Sequence, residues 1–215
     1  MLNKCLIIIP AFNEEKNLPK LLVQIDRKKY YVLVVDDGSS DKTLDVIKNK
    51  CDKIIRLKKN LGVDMALNKG FKYAIKKQFQ YIITMDADGQ HKTQYLNKIY
   101  DMLVKKNDLV ITQRKSFPRF SEKIFSIYTK KKFKVFDLLS GMKGYSINLV
   151  NQYKCYDTIN SIGSELSAYA ISNKYKFKLL NIKVNNRKGE SRLGGMIRGN
   201  YKILKALIKL IILLK

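Results

Sequence analysis

YIITMDADGQH, residues 81–91, begins as a short apolar run and breaks into two acids one residue apart. Tyr81 to Met85 reads as a buried strand, with Asp86-Ala87-Asp88 at its carboxyl end. Outward from it the same grammar repeats. Leu6 to Ile9 is a strand that stops at Pro10, and Asn13 caps a helix that carries Glu14 and Glu15 in its first turn. Leu18, Leu21, Leu22 and Ile25 then recur at helical spacing. Tyr31 to Val35 is a strand ending in the turn cluster Asp36 to Asp41, which caps a helix holding Leu44 and Ile47. Lys53 to Leu57 and Leu109 to Thr112 read as further strands, and Ala66, Leu67, Gly70 and Ala74 mark a helix between them. Short apolar runs alternating with helical patterns predict an α/β fold with a mostly parallel sheet flanked by helices.

Past residue 113 the pattern loosens. A basic, aromatic segment runs from Arg114 to Phe136, followed by the turn Ser140-Gly141 and a helix around Glu165. A strand near Phe177 to Val184, a glycine-rich turn at 189–195 and a C-terminal helix complete the chain.

With 215 residues, 46% of them apolar, the chain suffices for one domain with a full core, and disorder is not the expected state. The net charge of +25 invites a polyanion: nucleic acid, an anionic membrane or a phosphate-bearing substrate. Its lysines, however, are spread along nearly the whole sequence. Nucleic acid is not the expected partner, because acidic strand ends would repel its phosphates. Cys5, Cys51 and Cys155 are odd in number and far apart, which reads as reduced thiols in a cytosolic protein. The run before Pro10 is too short for a secretory signal, and no stretch approaches the roughly 20 apolar residues of a spanning helix.

In open α/β sheets ligands bind beyond the carboxyl ends of the strands. Three of those ends carry acidic or turn residues: Pro10 to Glu14, Asp36-Asp37 and Asp86-Ala87-Asp88. Gathered carboxylates repel one another unless a cation compensates. Oxygen ligands suit Mg²⁺ or Mn²⁺, which in turn bridge nucleotide phosphates. Taken singly, each piece has a plainer reading. A D-x-D is also a solvated turn, DDGS is also a helix cap, and a lone His91 is usually a surface or hydrogen-bonding residue.

The ordered set is more specific. IIIPAFNEEKN, VVDDGSSDKT, NLGVDMALNKGFKYA, MDADGQH and NRKGESRLGG resemble, in this order, the family-2 glycosyltransferases of the GT-A fold. Within that family the chain is most similar to the dolichol-phosphate mannose synthases and their polyprenyl-phosphate relatives. The resemblance covers about Ile7 to Gly195. It implies that residues 1–195 form the catalytic domain, followed by a helix at 196–215. It also implies roles. Pro10, Phe12 and Glu14 would line a nucleoside pocket; relatives often carry tyrosine where Phe12 stands. Asp36 and Asp37 would meet base or ribose, and Asp86, Asp88 and Gln90 would hold the metal and the donor diphosphate. Asp137 with Ser140-Gly141 looks like the acceptor-side D-x-x-S-G motif, and Arg114 and Arg119 match basic positions that meet phosphate. Gly189 to Arg192 resembles a loop that closes over the donor, with Arg187 and Arg192 on the phosphates. Arg187 lies two residues before Gly189, where relatives commonly have an arginine three before.

The implied reaction is inverting transfer of a sugar from a nucleotide-diphosphosugar. A polyprenyl phosphate acceptor is already anionic, whereas a glycan hydroxyl needs a carboxylate to take its proton. Asp137 and Glu165 are the residues considered for that task; for Glu165, a plain helix-surface charge is an equal reading. Arg198, Lys202, Lys205 and Lys209 fall on one face of the last helix, with Ile and Leu over the rest. Such a helix either lies in an anionic membrane interface or packs on the core with its lysines in water. Lys123 to Phe136 invites the same two readings. After a donor half of this kind, the expectation is peripheral attachment at the cytoplasmic face of a membrane.

Overall fold

The computed structural model describes residues 4–185 and 195–214. β1 (Cys5–Ala11) is buried along its whole length, as its unbroken apolar run demands of a central strand covered on both faces. It runs past Pro10, where the sequence suggests a stop. Met85 N–H binds the carbonyl of Ile8, so Pro10, two residues on, turns its missing N–H toward the side where the neighbouring strand has already ended. β2 (Tyr31–Asp36) and β3 (Lys53–Arg56) extend the sheet to one side of β1; β4 (Tyr81–Thr84) pairs on the other side.

The helices of this half are α1 (Leu18–Leu22), α2 (Thr43–Ile47), α3 (Val63–Lys76) and α4 (Tyr95–Val104). Asn13 does not cap α1, whose N-cap is Asn17. Asn13 instead takes a left-handed conformation, and its Oδ1 accepts the Ser40 N–H at 2.9 Å. It thereby ties the β1 end to the β2 end.

β5 (Leu109–Gln113), α5 (Phe120–Phe133), β6 (Lys143–Ser146), α6 (Ile147–Tyr153), α7 (Glu165–Ser172), β7 (Phe177–Asn181) and α8 (Met196–Leu213) follow. The segment after Arg114 that looks irregular in sequence thus contains a 14-residue helix. The sheet order is β3-β2-β1-β4-β6-β5-β7, with β6 antiparallel to both neighbours and every other pair parallel.

Alternation along the strands separates two cores. Leu6 and Ile8 of β1 join Leu67 and Phe71 of α3, together with apolar residues of α5 to α8. Cys5, Ile7 and Ile9 face Leu18, Leu22, Leu96 and Ile99 of α1 and α4. Gly70 lets α3 lie directly on β1, because any side chain there would run into Ile8. α8 contributes Ile203, Ala206, Leu207 and Leu210 to the first core, and no helix among the described residues is long and apolar enough to cross a membrane. The chain moves outward from β1 to β3 and then returns across it to β4. This reversal opens a crevice at the carboxyl ends of β1 and β4.

Candidate active site

Asp86 and Asp88 follow β4 at that crevice, on the wall of a cavity of about 150 Å³. The turn that carries them is held from several sides. Asp88 is 8% exposed, and its Oδ1 accepts the Gln90 N–H at 3.0 Å. Thr84 Oγ1 donates to the Gly141 carbonyl at 2.9 Å, which brings the Ser140-Gly141 turn against the end of β4. A side chain at residue 141 would collide with the Asp86 carboxylate, so only glycine permits this approach. His91 is buried beside them, its Nδ1 3.6 Å from Asp86 Oδ2. Burial lowers its pKa, against the pull of Asp86 and Asp88.

Arg114 and Arg119 line the same cavity from the α5 side. Arg114 sits at the end of β5 and forms a fork with Asp137: Nε to Oδ2 at 2.7 Å and Nη2 to Oδ1 at 3.1 Å. Asp137 is itself fixed, since Gln113 Oε1 accepts both its N–H and that of Phe136 at 2.9 Å. Glu122 stands between the arginines, 3.5 Å from Arg114 Nη2 and 3.8 Å from Arg119 Nη1. Carboxylates on the β4 side and guanidinium groups on the α5 side therefore face one cavity.

A family model described as Glycosyl transferase family 2 matches residues 6–162. The chain belongs to that family. An uncharacterized protein of Methanocaldococcus jannaschii is 29% identical over 94% of this chain and 90% of its own length. A dolichol-phosphate mannosyltransferase of Pyrococcus furiosus is 34% identical over 52% of this chain and 33% of its own. A polyprenol monophosphomannose synthase of Mycolicibacterium smegmatis is 29% identical over 52% of this chain and 45% of its own. The chain thus spans less than half the length of these two named relatives. Glucosyl-3-phosphoglycerate synthase of Mycobacterium tuberculosis, solved with Mg²⁺ and uridine diphosphate, superposes with a TM-score of 0.75 at 15% identity. That match covers 96% of this chain and 78% of the other, and the shared architecture is the GT-A fold.

In this family-2 glycosyltransferase the remaining expected residues fall into three groups. Pro10, Phe12, Glu14, Asp36 and Asp37 lie on the same edge of the sheet but do not line the cavity. Asp37 grips the start of α3, accepting the N–H groups of Leu61 and Gly62 at 2.8 Å each. Asp36 accepts the Ser39 N–H and lies 3.6 Å from Arg56; Glu14 accepts from Asn17 Nδ2 at 3.0 Å. Glu165 lies away from the cavity wall, fully buried. It accepts hydrogen bonds from Tyr153, from the Thr158 amide and hydroxyl, and from Ile159 N at 3.0 Å. Its pKa is lowered: burial opposes ionisation, and the bonds from Thr158 and Tyr153 outweigh it. Arg187, Arg192 and the loop around Gly189 lie outside the described residues.

Two acids of the cavity escape sequence reading: Asp64 and Glu122. Asp64 looks like an ordinary acid in the first turn of α3, and Glu122 like one in the first turn of α5. His91 stands in the MDADGQH motif, and the fold buries it in the cavity wall instead of leaving it on the surface.

Proposed function

We propose that this enzyme transfers one sugar, with inversion, from a nucleotide-diphosphosugar to a polyprenyl phosphate at the cytoplasmic face of a membrane. The observation that carries the reading is the pairing of walls: carboxylates of Asp86 and Asp88 on one side, Arg114 and Arg119 on the other. The carboxylate side fits a hard divalent cation, with two oxygen donors on one turn, Gln90 beside them, and a glycine cradle behind Asp86. When bound, Mg²⁺ or Mn²⁺ would neutralise charge on the diphosphate leaving group. Pro10, Phe12, Glu14, Asp36 and Asp37 would hold the nucleoside on the adjoining edge. Arg114 and Arg119 would orient the acceptor phosphate, with Asp137 as the positioning residue for Arg114. A phosphate nucleophile requires no base, which agrees with Asp137 and Glu165 being committed to other partners.

The outer surface supports a lipid acceptor. α5 and α8 pack side by side, and each adjoins the cavity, through Arg119 and Ile203. Phe120 is 71% exposed, Ile127 70%, Ile197 86%, Tyr201 65% and Ile208 58%. Exposed Lys123, Lys131, Arg198, Lys202 and Lys205 intersperse them. Lys209 departs from the expected basic face, since its Nζ donates to the Ile159 carbonyl at 2.7 Å. Exposed apolar side chains ringed by cations match an anionic interface.

The test is release of nucleoside diphosphate from a panel of nucleotide-sugars with polyprenyl phosphate in phosphatidylglycerol vesicles. Metal-dependent release that requires the lipid, with cosedimentation of protein and vesicles, is expected. Asp88→Ala should lower the rate at least about 10²-fold with the fold retained. Release only with saccharide acceptors would move the function to glycan assembly.

A further inference from the structure

Asp64 is a cavity residue with no role in the proposed transfer. Asp64 opens α3 and is 7% exposed, and its Oδ1 has no hydrogen-bond partner among the described residues. Around it the cavity wall is apolar, formed by Val63, Leu67, Tyr156 and Ile162. Its charged neighbours are Asp157 and Lys143. Neither leaves a place for it. Asp157 is engaged by the amides of Ile159, Ser161 and Gly163 and by the Ser161 hydroxyl at 2.5 Å. The Lys143 ammonium donates to the carbonyls of Leu138 and Gly163 at 2.8 and 2.7 Å. Burial, with Asp157 adding to it, pushes the Asp64 carboxyl up to about 7, against the amides of Ile162 and Gly163.

A buried acceptor without a donor is rare in folded proteins and signals a missing partner. The chemistry narrows that partner. A phosphate would set a third negative charge beside Asp64 and Asp157. A hydroxyl donates a hydrogen bond and brings no charge. The cavity is also about the size that accepts one six-membered ring, and a carboxyl in an apolar wall suits a ring with hydroxyls at its edge.

We propose that Asp64 is a specificity-determining residue that accepts a hydrogen bond from a hydroxyl of the transferred sugar. The assignment rests on the reading of this cavity as the site of a nucleotide-sugar donor. It concerns the α3 wall alone and needs no role for the metal in holding the sugar ring.

The test combines Asp64→Ala with donors deoxygenated at single ring positions. UDP-glucose, UDP-N-acetylglucosamine and GDP-mannose are first screened with polyprenyl phosphate, and the deoxy series is made on whichever donor turns over. The wild type should discriminate against one deoxy donor by at least about 10²-fold in kcat/KM. Asp64→Ala should reduce that preference to within about threefold, because the hydroxyl then has no partner to lose. Its affinity for the nucleoside diphosphate with Mg²⁺, measured by calorimetry, should match the wild type, which a collapsed site would not allow. If Asp64→Ala does not fold, Asp64→Leu, which also lacks an acceptor and fills the apolar wall, takes its place in the same cycle. Undiminished discrimination at every position, with unchanged diphosphate affinity, would overturn the assignment. So would coupling to the hydroxyls of a saccharide acceptor instead of the donor. Diphosphate binding with no turnover of any donor would instead sink the donor reading, and this inference with it.

Discussion

The two long walls of the cavity treat buried charge in opposite ways. On the α5 side, Arg114 and Asp137 meet as a two-pronged pair, and the acid is further gripped through Gln113. On the α3 side, Asp64 lies between an apolar surface and a second acid, with one oxygen unpartnered among the described residues. A buried ion is tolerated when its partner and its hydrogen bonds are in place, and is costly when they are not. The Arg114–Asp137 pair is complete before a substrate arrives. The α3 wall is completed by what binds. The difference separates a cation positioned in advance for its ligand from an acid whose missing partner is the ligand.

The largest effect should follow from breaking the completed pair. Asp137→Ala leaves Arg114, a half-buried cation with its side chain 20% exposed, without its two-pronged partner and should cost about 3 kcal/mol of folding stability. For a chain of this size that is a fall of about 10 °C in Tm. Arg114→Met added to Asp137→Ala should recover much of the loss, since no buried ion then lacks its counterpart. A Tm for Asp137→Ala within a degree or two of the wild type would mean that water, not Asp137, compensates Arg114. The contrast between the walls would then disappear.

How much of this could be read in the sequence follows from where each feature gets its definition. β1, β2, β4 and β5 are buried on both sides, so continuous apolar runs announce them, and the acids beyond them stand at strand ends by necessity. β6 could not be read that way. Its four residues, Lys-Gly-Tyr-Ser, are all buried, yet hold no apolar run, because Lys143 is satisfied by carbonyls brought from distant loops. α5 hid for a related reason. Its buried face sets Ser121, Glu122, Ser126 and Thr129 among Phe125 and Phe133, so no clean apolar stripe appears. At the site, Asp86 and Asp88 were legible because motif and strand end coincide, whereas Arg114 and Arg119 were legible only through the family resemblance. Asp64 was not legible, since an acid in the first turn of a helix is unremarkable until the fold buries it. Glu165 shows the converse. Its helix is readable, but the loop bonds that occupy its oxygens join residues 153, 158 and 159 through tertiary structure.

A middle-sized effect should come from relieving the incomplete wall. The Asp64 pKa is raised from 3.8 to about 7, by burial first and Asp157 second, with Lys143 and the amides of Ile162 and Gly163 opposing. The folded protein therefore holds that proton to higher pH than the unfolded chain does. Below about pH 4 both states are protonated and the residue carries no linkage cost. As pH rises toward 7 the unfolded chain ionises first, and stability falls relative to a neutral side chain. Asp64→Asn should accordingly match the wild type near pH 4 and exceed it at pH 8, by about 2 kcal/mol or several degrees in Tm. Added stability on removing the charge is the exchange expected where a strained group serves binding. Equal Tm differences at both pH values would mean that the carboxyl is not held against its preference, and the α3 wall would cease to differ in kind.

The smallest effect is expected at Glu122, which sharpens the comparison because it belongs to one wall by position and to the other by energetics. It stands among the α5-side arginines, but its distances of 3.5 Å to Arg114 and 3.8 Å to Arg119 exceed hydrogen-bond length. Its Oε2 has no hydrogen-bond partner among the described residues. Burial raises its pKa despite the attraction of Arg114, so its surroundings favour the protonated form more than water does. By the same sign argument its cost is absent in acid and grows as pH rises past the ordinary glutamate range. Glu122→Gln removes the charge while keeping the shape, and should leave stability at pH 7 within about 1 kcal/mol of the wild type. Asp137→Asn, an equally small change in shape, should cost clearly more, because it dissolves a bidentate pair. If thermal melts of the two variants gave equal losses, proximity to an arginine, and not the geometry of the pairing, would be what stabilises this wall.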